Sequence, residues 1–170
     1  MKKLLIAAAL AVAGCQTAPP DAPRASASLQ PTKGSKAFGE VTFEQAGGKV
    51  RVVANVAGLA PGREHGFHIH EAGDCSSGDG MSAKGHFNPF GKPHGHFGGP
   101  ERHAGDMPAL KADKSGRAKL AIELDVITVS PGAASIVGRG LIVHKDPDDY
   151  RTQPTGNAGA RVACGVIRRD

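Results

Sequence analysis

Aromatic residues are scarce in this chain: among 170 residues there is no tryptophan and only one tyrosine. Lysine and arginine exceed aspartate and glutamate by 21 to 16, but they are dispersed, and no nucleic-acid-binding motif occurs. Nucleic-acid-binding proteins cluster their basic residues and stack bases on aromatic rings, so we expect no nucleic-acid partner. The small positive charge fits an anionic substrate better, because a positively charged cleft raises the association rate.

A hydrophobic run long enough to cross a membrane is also lacking. Lys2 and Lys3 precede an apolar stretch at 4–13, which is too short to span about 30 Å of hydrocarbon but fits the core of a signal peptide. The following sequence, VAGC at 12–15, resembles a bacterial lipobox. It predicts removal of residues 1–14 as a lipoprotein signal peptide and attachment of lipid to Cys15. Cleavage elsewhere, as in an ordinary signal peptide, is the alternative.

A lipidated cysteine would anchor the mature protein to a membrane, on the periplasmic face of a bacterial cell envelope. Gln16, rather than aspartate, follows the cysteine, which favours the outer membrane. Residues 15–28 are rich in alanine, proline and serine and have no apolar periodicity, which predicts a flexible tether. The folded domain is therefore predicted to occupy residues 29–170.

No long helical period occurs in that domain. Residues 42–43, 50–56 and 117–124 alternate apolar and polar side chains, and glycine-containing turns at 47–48 and 114–116 separate such runs. These features predict an all-β domain, a β-sandwich with a single core. Two connections, at about 72–106 and 145–159, exceed the usual loop length, and long loops in a compact domain are commonly functional.

Histidine forms the most informative pattern. In GFHIHE at 66–71, alternate side chains of an extended strand point to one face, so His68 and His70 project together. Neutral imidazole suits copper and zinc. Further candidate ligands lie in a glycine- and proline-rich stretch and at the end of a second apolar run, GLIVH at 140–144: His86, His94, His103, Asp106 and His144.

These seven groups suit two metal ions. Zinc is usually held by four nitrogen, oxygen or sulfur ligands, and copper(II) prefers a tetragonal set of nitrogens. Two four-coordinate ions need eight bonds, so one imidazole would have to offer both ring nitrogens. His86 is the candidate, because it lies between the strand pair and the group that contains Asp106. The alternative is a histidine-rich tract that binds metal adventitiously, which has no reason to anchor histidines on strand-like runs.

Several motifs together resemble a known family. HGFHIHEAGDC at 65–75, GHFNP at 85–89, ERHAGD at 101–106, LIVH at 141–144 and GNAGARVACGVI at 156–167 occur in this order. The chain is similar to the secreted copper/zinc superoxide dismutases of bacteria. The resemblance implies a Greek-key β-sandwich or flattened barrel of about eight antiparallel strands, two long functional loops, and one copper and one zinc ion per subunit.

The resemblance also implies roles for individual residues. The implied copper ligands are His68, His70, His86 and His144, and the implied zinc ligands are His86, His94, His103 and Asp106. Asp148, four residues after the last copper ligand, would accept hydrogen bonds from one copper histidine and one zinc histidine. His65 would be a structural histidine hydrogen-bonded to the backbone. His96 has no counterpart in the pattern and is interpreted as a solvated loop residue.

Three cysteines divide into Cys15 and a pair, Cys75 and Cys164. A bridge between the pair would tie the first long loop to the last apolar run, as expected in an oxidising compartment. From the residues alone, two buried free thiols are the alternative. The family resemblance pairs the two positions in a disulfide.

The implied reaction is the disproportionation of superoxide to oxygen and hydrogen peroxide, as an antioxidant defence. Copper would cycle between two oxidation states, and His86 would take up a proton when its bond to the reduced copper breaks. Arg161 matches the family's anion-guiding guanidinium. Where the family often carries a lysine that steers the substrate, this chain has Pro154. Other cations could supply the guiding field: Lys92, Lys145, Arg102 and Arg151.

The competing function is a non-catalytic copper- and zinc-binding envelope lipoprotein, such as a metal carrier. The same histidines would serve it, but a carrier needs neither a zinc-supported bridge nor an anion anchor such as Arg161. The sequence leaves a homodimer open, because members of the family assemble through different surfaces.

Overall fold

The computed structural model of the protein describes residues 22–170. Within these residues the only helix is one 3₁₀ turn, Met81–Ala83. The strands are β1 (Arg24–Pro31), β2 (Phe38–Ala46), β3 (Lys49–Ala57), β4 (Glu64–His65), β5 (Phe67–His70), β6 (Leu110–Lys111), β7 (Ala118–Leu124), β8 (Gly140–His144), β9 (Arg161–Val166) and β10 (Arg168–Arg169). The predicted signal peptide and Cys15 lie outside the described residues. Within 22–170 no helix has the length and hydropathy needed to cross a membrane.

Eight strands form one sheet in the order β5-β8-β9-β1-β2-β3-β7, with β10 paired to β1, while β4 and β6 form a separate ribbon. β1 joins the two halves of the sheet, because residues 24–29 pair with β2 and residues 30–31 pair with β9. Every pairing is antiparallel, and neighbours such as β3 and β7 are distant in sequence. The predicted all-β sandwich or flattened barrel of about eight antiparallel strands is confirmed.

The sheet curls around one hydrophobic core. Val41 and Phe43 of β2 point into it, and Phe67, Ile69 and Leu141 reach the same cluster from the other end of the sheet. Removing such apolar side chains from water stabilises the fold by roughly 25 cal/mol per Å². The core therefore holds both ends of the open sheet in place, although they do not pair.

The start of β1 corrects one prediction. Residues 24–28 are predicted to end the flexible tether, but they are paired within β1, so this boundary is wrong. Ala25, Ala27 and Leu29 are buried, whereas Ser26 and Ser28 are more exposed. The period of two is present, but small alanine and serine side chains differ little in hydropathy and conceal it.

Two long loops cover the outer face of β5 and β8. Residues 71–109 connect β5 to β6, and residues 145–160 connect β8 to β9. They contain the two loops expected from the sequence. Every residue of β5 and β8 is buried, because the core covers one face of these strands and the loops cover the other. An irregular connection at 125–139, between β7 and β8, is not anticipated by the sequence pattern.

A variant that begins at residue 29 should be much less stable than one that begins at residue 22. It lacks two buried alanines and the backbone partners of both β2 and β10. We expect its unfolding temperature to be lower by about 10 °C or more, since 1 kcal/mol corresponds to roughly 2–4 °C in a chain of this size. Calorimetry of both metal-free, disulfide-bonded variants measures the difference. Equal unfolding temperatures would contradict the inclusion of residues 24–28 in the fold.

Candidate metal centre

β5 separates apolar from metal-binding side chains by alternation. Phe67 and Ile69 face the core, so His68 and His70 face the opposite side, as the sequence predicts. β8 pairs with β5 and ends at His144, whose backbone N–H donates at 2.8 Å to the carbonyl of the residue before β5. Three imidazoles are thus fixed by the sheet.

These three histidines and His86 form what we call the strand group. Their ligand atoms lie within 4.8 Å of one another, and all four residues are buried. His70 Nδ1 donates to the Lys84 carbonyl at 2.8 Å, which leaves its Nε2 facing His144 Nε2 at 3.3 Å. Within residues 22–170, His68 Nδ1 and His86 Nε2 are buried without a hydrogen-bond partner. Because buried polar atoms need partners, these two nitrogens are suited to bind a cation.

His86 also belongs to a second set, the loop group, with His94, His103 and Asp106. Asp106 Oδ1 lies 2.8 Å from His86 Nδ1 and 3.0 Å from His94 Nδ1. His103 Nδ1 lies 3.4 Å from His86 Nδ1. Asp106 Oδ2 accepts backbone N–H bonds from Gly95 and His103 at 3.1 and 2.9 Å. These amides aim Oδ1 at the imidazoles, so the four donors converge as one cation would require.

His86 is the residue common to both groups. Its Nδ1 lies against Asp106, and its Nε2 is the nitrogen left for the strand group. The shared imidazole expected from the spacing is therefore present between two adjoining sets of donors. All seven candidate ligands are buried and are brought together in these two groups.

Asp148 connects the two groups a second time. Its Oδ2 lies 2.7 Å from His68 Nε2, and its Oδ1 lies 2.9 Å from His94 Nε2. Both rings therefore use Nε2–H as a donor and keep Nδ1 for a metal. Gly156 lies directly over this contact, where a Cβ atom would overlap Asp148 Oδ1. The backbone approaches Asp148 so closely that only glycine fits.

Burial keeps three imidazoles of the strand group neutral. It lowers the pKa of His70 and His144 well below the usual value and that of His86 to about 4. Burial acts in the same direction on His94, but the contacts with Asp106 and Asp148 outweigh it and raise its pKa to about 9. Burial would raise the pKa of both carboxyls, yet their imidazole partners hold it below the usual range. A cation in the loop group would therefore displace a proton from His94.

Arg161, on β9, is held by two backbone carbonyls. Its Nη1 donates to Gly80 and its Nη2 to Lys84, each at 2.5 Å. The Lys84 carbonyl also accepts the His70 N–H bond, so the guanidinium and a strand-group imidazole share one acceptor. Lys84 has a φ of 63°, which is uncommon for a residue other than glycine. No sequence signal singled out Lys84, because its contribution is a carbonyl oxygen.

The predicted disulfide between Cys75 and Cys164 is confirmed, with Cα atoms 5.8 Å apart. It ties the first long loop to β9, three residues from Arg161. Both carbonyls that hold the guanidinium lie in the same loop, between Cys75 and His86. The cross-link therefore restrains the loop segment on which the position of Arg161 depends.

The other cations differ in their surroundings. Lys92 Nζ lies 2.7 Å from a Glu101 oxygen, and Arg102 Nη2 lies 2.8 Å from an Asp125 oxygen, so both charges are offset. Two others are exposed and make no salt bridge within residues 22–170: Lys145 and Arg151.

The two remaining histidines lie outside both groups. His65 is buried, and its Nδ1 donates to the His144 carbonyl at 2.8 Å, which is the backbone contact expected of a structural histidine. His96 is exposed, and its ring packs against Tyr150 with the ring centroids 4.9 Å apart. Neither residue is near enough to offer a ligand atom to either group.

This combination of a curled antiparallel sheet and two adjoining donor sets agrees with a comparison of sequences. Residues 37–167 match the model of the family described as copper/zinc superoxide dismutase. The chain belongs to this family. The match confirms the predicted class, an oxidoreductase with copper and zinc as cofactors.

Relatives are similar over most of their length. The copper–zinc superoxide dismutase 2 of Aquifex aeolicus (strain VF5) is 40% identical over 149 residues, which cover 85% of this chain and 86% of that protein. A copper–zinc superoxide dismutase of Paramecium bursaria Chlorella virus 1 is 43% identical over 135 residues, covering 76% and 71%. The crystal structure of the clock protein EA4 superposes with a TM-score of 0.79 at 40% identity, covering 90% and 98%.

Asp148→Ala should weaken metal binding by both groups, because it removes the partner that orients His68 and His94. Loss of such a partner costs about 10–100-fold in metal affinity. Competition with a chelator, measured separately for Cu(II) and Zn(II), gives the two affinities. Asp113→Ala is the control, since Asp113 accepts hydrogen bonds in a turn away from the metal groups. Unchanged affinities in the Asp148 variant would contradict its role in orienting both rings.

Proposed function

We propose that this protein disproportionates superoxide to oxygen and hydrogen peroxide, with copper in the strand group and zinc in the loop group, one of each per subunit. The observation that carries the proposal is His86, whose ring contributes to two adjoining sets of buried donors. A centre for a single ion does not need such a residue. The family match supports the activity, because the similar curated proteins are named for it.

The donor chemistry supports the assignment of each metal. The strand group offers four imidazoles, which suit the nitrogen-rich tetragonal preference of copper(II). The loop group offers three imidazoles and one carboxylate, which suit four-coordinate zinc. The backbone bonds to Asp106 Oδ2 hold that carboxylate in place before any ion arrives.

Bound by the strand group, copper would supply the one-electron redox chemistry of the reaction. The residues of the chain fix the setting. His70 and His144 are oriented by their Nδ1 bonds to backbone carbonyls. His86 Nε2, buried and without a partner within residues 22–170, is the atom on which the shared ring can hold a proton during turnover.

Arg161 is the residue we assign to anion binding. Its guanidinium is charged at any physiological pH and carries five N–H donors, of which the two carbonyl contacts use only part. Because the Lys84 carbonyl holds both this guanidinium and His70, the positive charge lies beside the strand group. Superoxide is a small anion, so this placement supports it as the substrate.

A non-catalytic metal carrier is less well supported. It would need donors that release their ions, whereas these seven ligands are buried under two loops. A guanidinium fixed by two carbonyls beside the strand group has no use in storage or transport.

The activity can be measured with residues 22–170, the disulfide oxidised and both metals reconstituted. We expect fast disproportionation of superoxide, measured as its decay after pulse radiolysis. This activity should disappear when copper is removed. Arg161→Ala should bind both metals, turn over more slowly and lose much of the salt dependence of the rate, since steering by charge is screened by salt.

Arg51→Ala removes the same charge from an exposed position on β3 and serves as the control. It should leave the rate and its salt dependence close to those of the parent protein. Absence of turnover when both metal sites are fully occupied would refute the proposed enzymatic activity. The non-catalytic metal carrier would then be the better account. Parent kinetics in the Arg161 variant would refute only the role of Arg161.

We also propose that the mature chain is held at a membrane of the cell envelope through lipid on Cys15. The support is the sequence VAGC at 12–15 behind a short apolar stretch, and Gln16 favours the outer membrane. Expressed in a Gram-negative bacterium, the full chain should incorporate labelled palmitate and sediment with membranes. Cys15→Ser should do neither, and labelling that survives this substitution would contradict the anchor.

A further inference from the structure

The loop-group ligand His94 has an unusual backbone environment. It lies in an irregular segment after Pro93, and among residues 22–170 its peptide groups have no backbone partner. Their partner is the side-chain amide of Gln153. The His94 N–H donates to Gln153 Oε1 at 2.9 Å, and Gln153 Nε2 donates to the His94 carbonyl at 2.9 Å.

The pair of bonds resembles one rung of a β-ladder, with a side chain in place of a strand. A primary amide offers a donor and an acceptor side by side, which the peptide N–H and C=O of one residue require. Gln153 Nε2 also donates to the Arg151 carbonyl at 3.3 Å, which limits rotation of the amide. Gln153 therefore supplies to the His94 backbone the hydrogen bonds that strand pairing supplies to His68 and His70.

The turn that presents Gln153 is itself held together. Asp149 Oδ1 accepts the N–H groups of Arg151 and Thr152 at 2.9 and 2.8 Å. The Thr152 hydroxyl donates to Asp149 Oδ2 at 2.6 Å. The Gly156 N–H donates to the Thr152 carbonyl at 2.7 Å, and its carbonyl accepts the Asp149 N–H at 2.9 Å. The amide therefore projects from a closed turn.

One loop thus holds His94 at two points. Asp148 Oδ1 contacts the ring at Nε2, and Gln153 contacts the backbone. A ring is fixed in space only when both its backbone position and its rotation are fixed. With both contacts made, Nδ1 faces Asp106 Oδ1 at 3.0 Å.

We propose that Gln153 is a positioning residue for the zinc site, which sets zinc affinity through the backbone of His94. The proposal rests on the assignment of zinc to the loop group. It predicts a selective effect, because the strand-group ligands do not depend on Gln153: His68, His70 and His144 lie on paired strands, and His86 is bridged to β5. Loss of the amide should weaken zinc binding and leave copper binding intact.

The test is zinc affinity of the metal-free protein, measured by competition with a chelator, in the parent, Gln153→Ala and Gln153→Glu. Gln153→Ala removes both bonds, so zinc should bind about 10–100-fold more weakly, as for other residues that orient ligands. Gln153→Glu has nearly the same shape but cannot donate to the His94 carbonyl, so it should not restore the affinity. Cu(II) affinity, measured with excess zinc, should equal that of the parent.

Gln45→Ala is the matched control. Its side-chain amide also binds backbone groups, because the oxygen accepts the N–H groups of Val129 and Ser130, each at 2.8 Å, but it lies away from both metal groups. It should lower thermal stability without changing zinc affinity.

Parent-like zinc affinity in Gln153→Ala would overturn the proposal. So would parallel losses of zinc and copper affinity, which indicate general loosening of the fold. Full zinc affinity in Gln153→Glu would show that the paired donor is not needed and would also overturn it. The titration involves no turnover, so failure here is distinguishable from failure of the proposed activity.

Discussion

The structure depends on one constraint: every polar atom in a buried cluster of imidazoles and carboxylates needs a bonding partner. Six imidazoles and the carboxylates of Asp106 and Asp148 lie side by side with almost no exposure to water. Such groups are tolerated only when each polar atom has a partner, and backbone amides, carbonyls and carboxylates supply most of these partners. The ring nitrogens of His68 and His86 left without one are the atoms that face a common point. A cation bound by the strand group would give both nitrogens a partner.

The two donor groups depend on different parts of the fold. Three ligands of the strand group lie on β5 and β8, so their geometry follows from sheet pairing and from a hydrophobic core on the opposite face. In the loop group, only His86 and Asp106 are bridged to β5, whereas His94 and His103 lie in irregular backbone and are held by contacts within and between the two long loops. The disulfide and the carbonyls around Arg161 tie the first loop back to β9. The position of a substrate anion therefore depends on the same loop as the shared imidazole.

The sequence predicts those features that follow from short-range periodicity or from several motifs taken together. Alternation alone places His68 and His70 on one face, and the donor count alone requires a shared ring. Alternation fails for the start of β1, because alanine and serine give it too little contrast. Alternation also cannot reveal contacts made through the backbone. The Lys84 carbonyl accepts hydrogen bonds from two side chains, and Gln153 binds the backbone of His94, which is 59 positions away in the sequence. A single glutamine carries no motif, so only coordinates reveal such a contact.

The central claim is that one imidazole, that of His86, serves both metals. X-ray diffraction from crystals of the reconstituted protein, with anomalous data at the copper and zinc absorption edges, tests it most directly. The account predicts copper among the strand-group nitrogens and zinc among the loop-group donors, each within bonding distance of a different nitrogen of His86. Both ions in one group, exchanged positions, or a His86 ring bound to a single ion would contradict it.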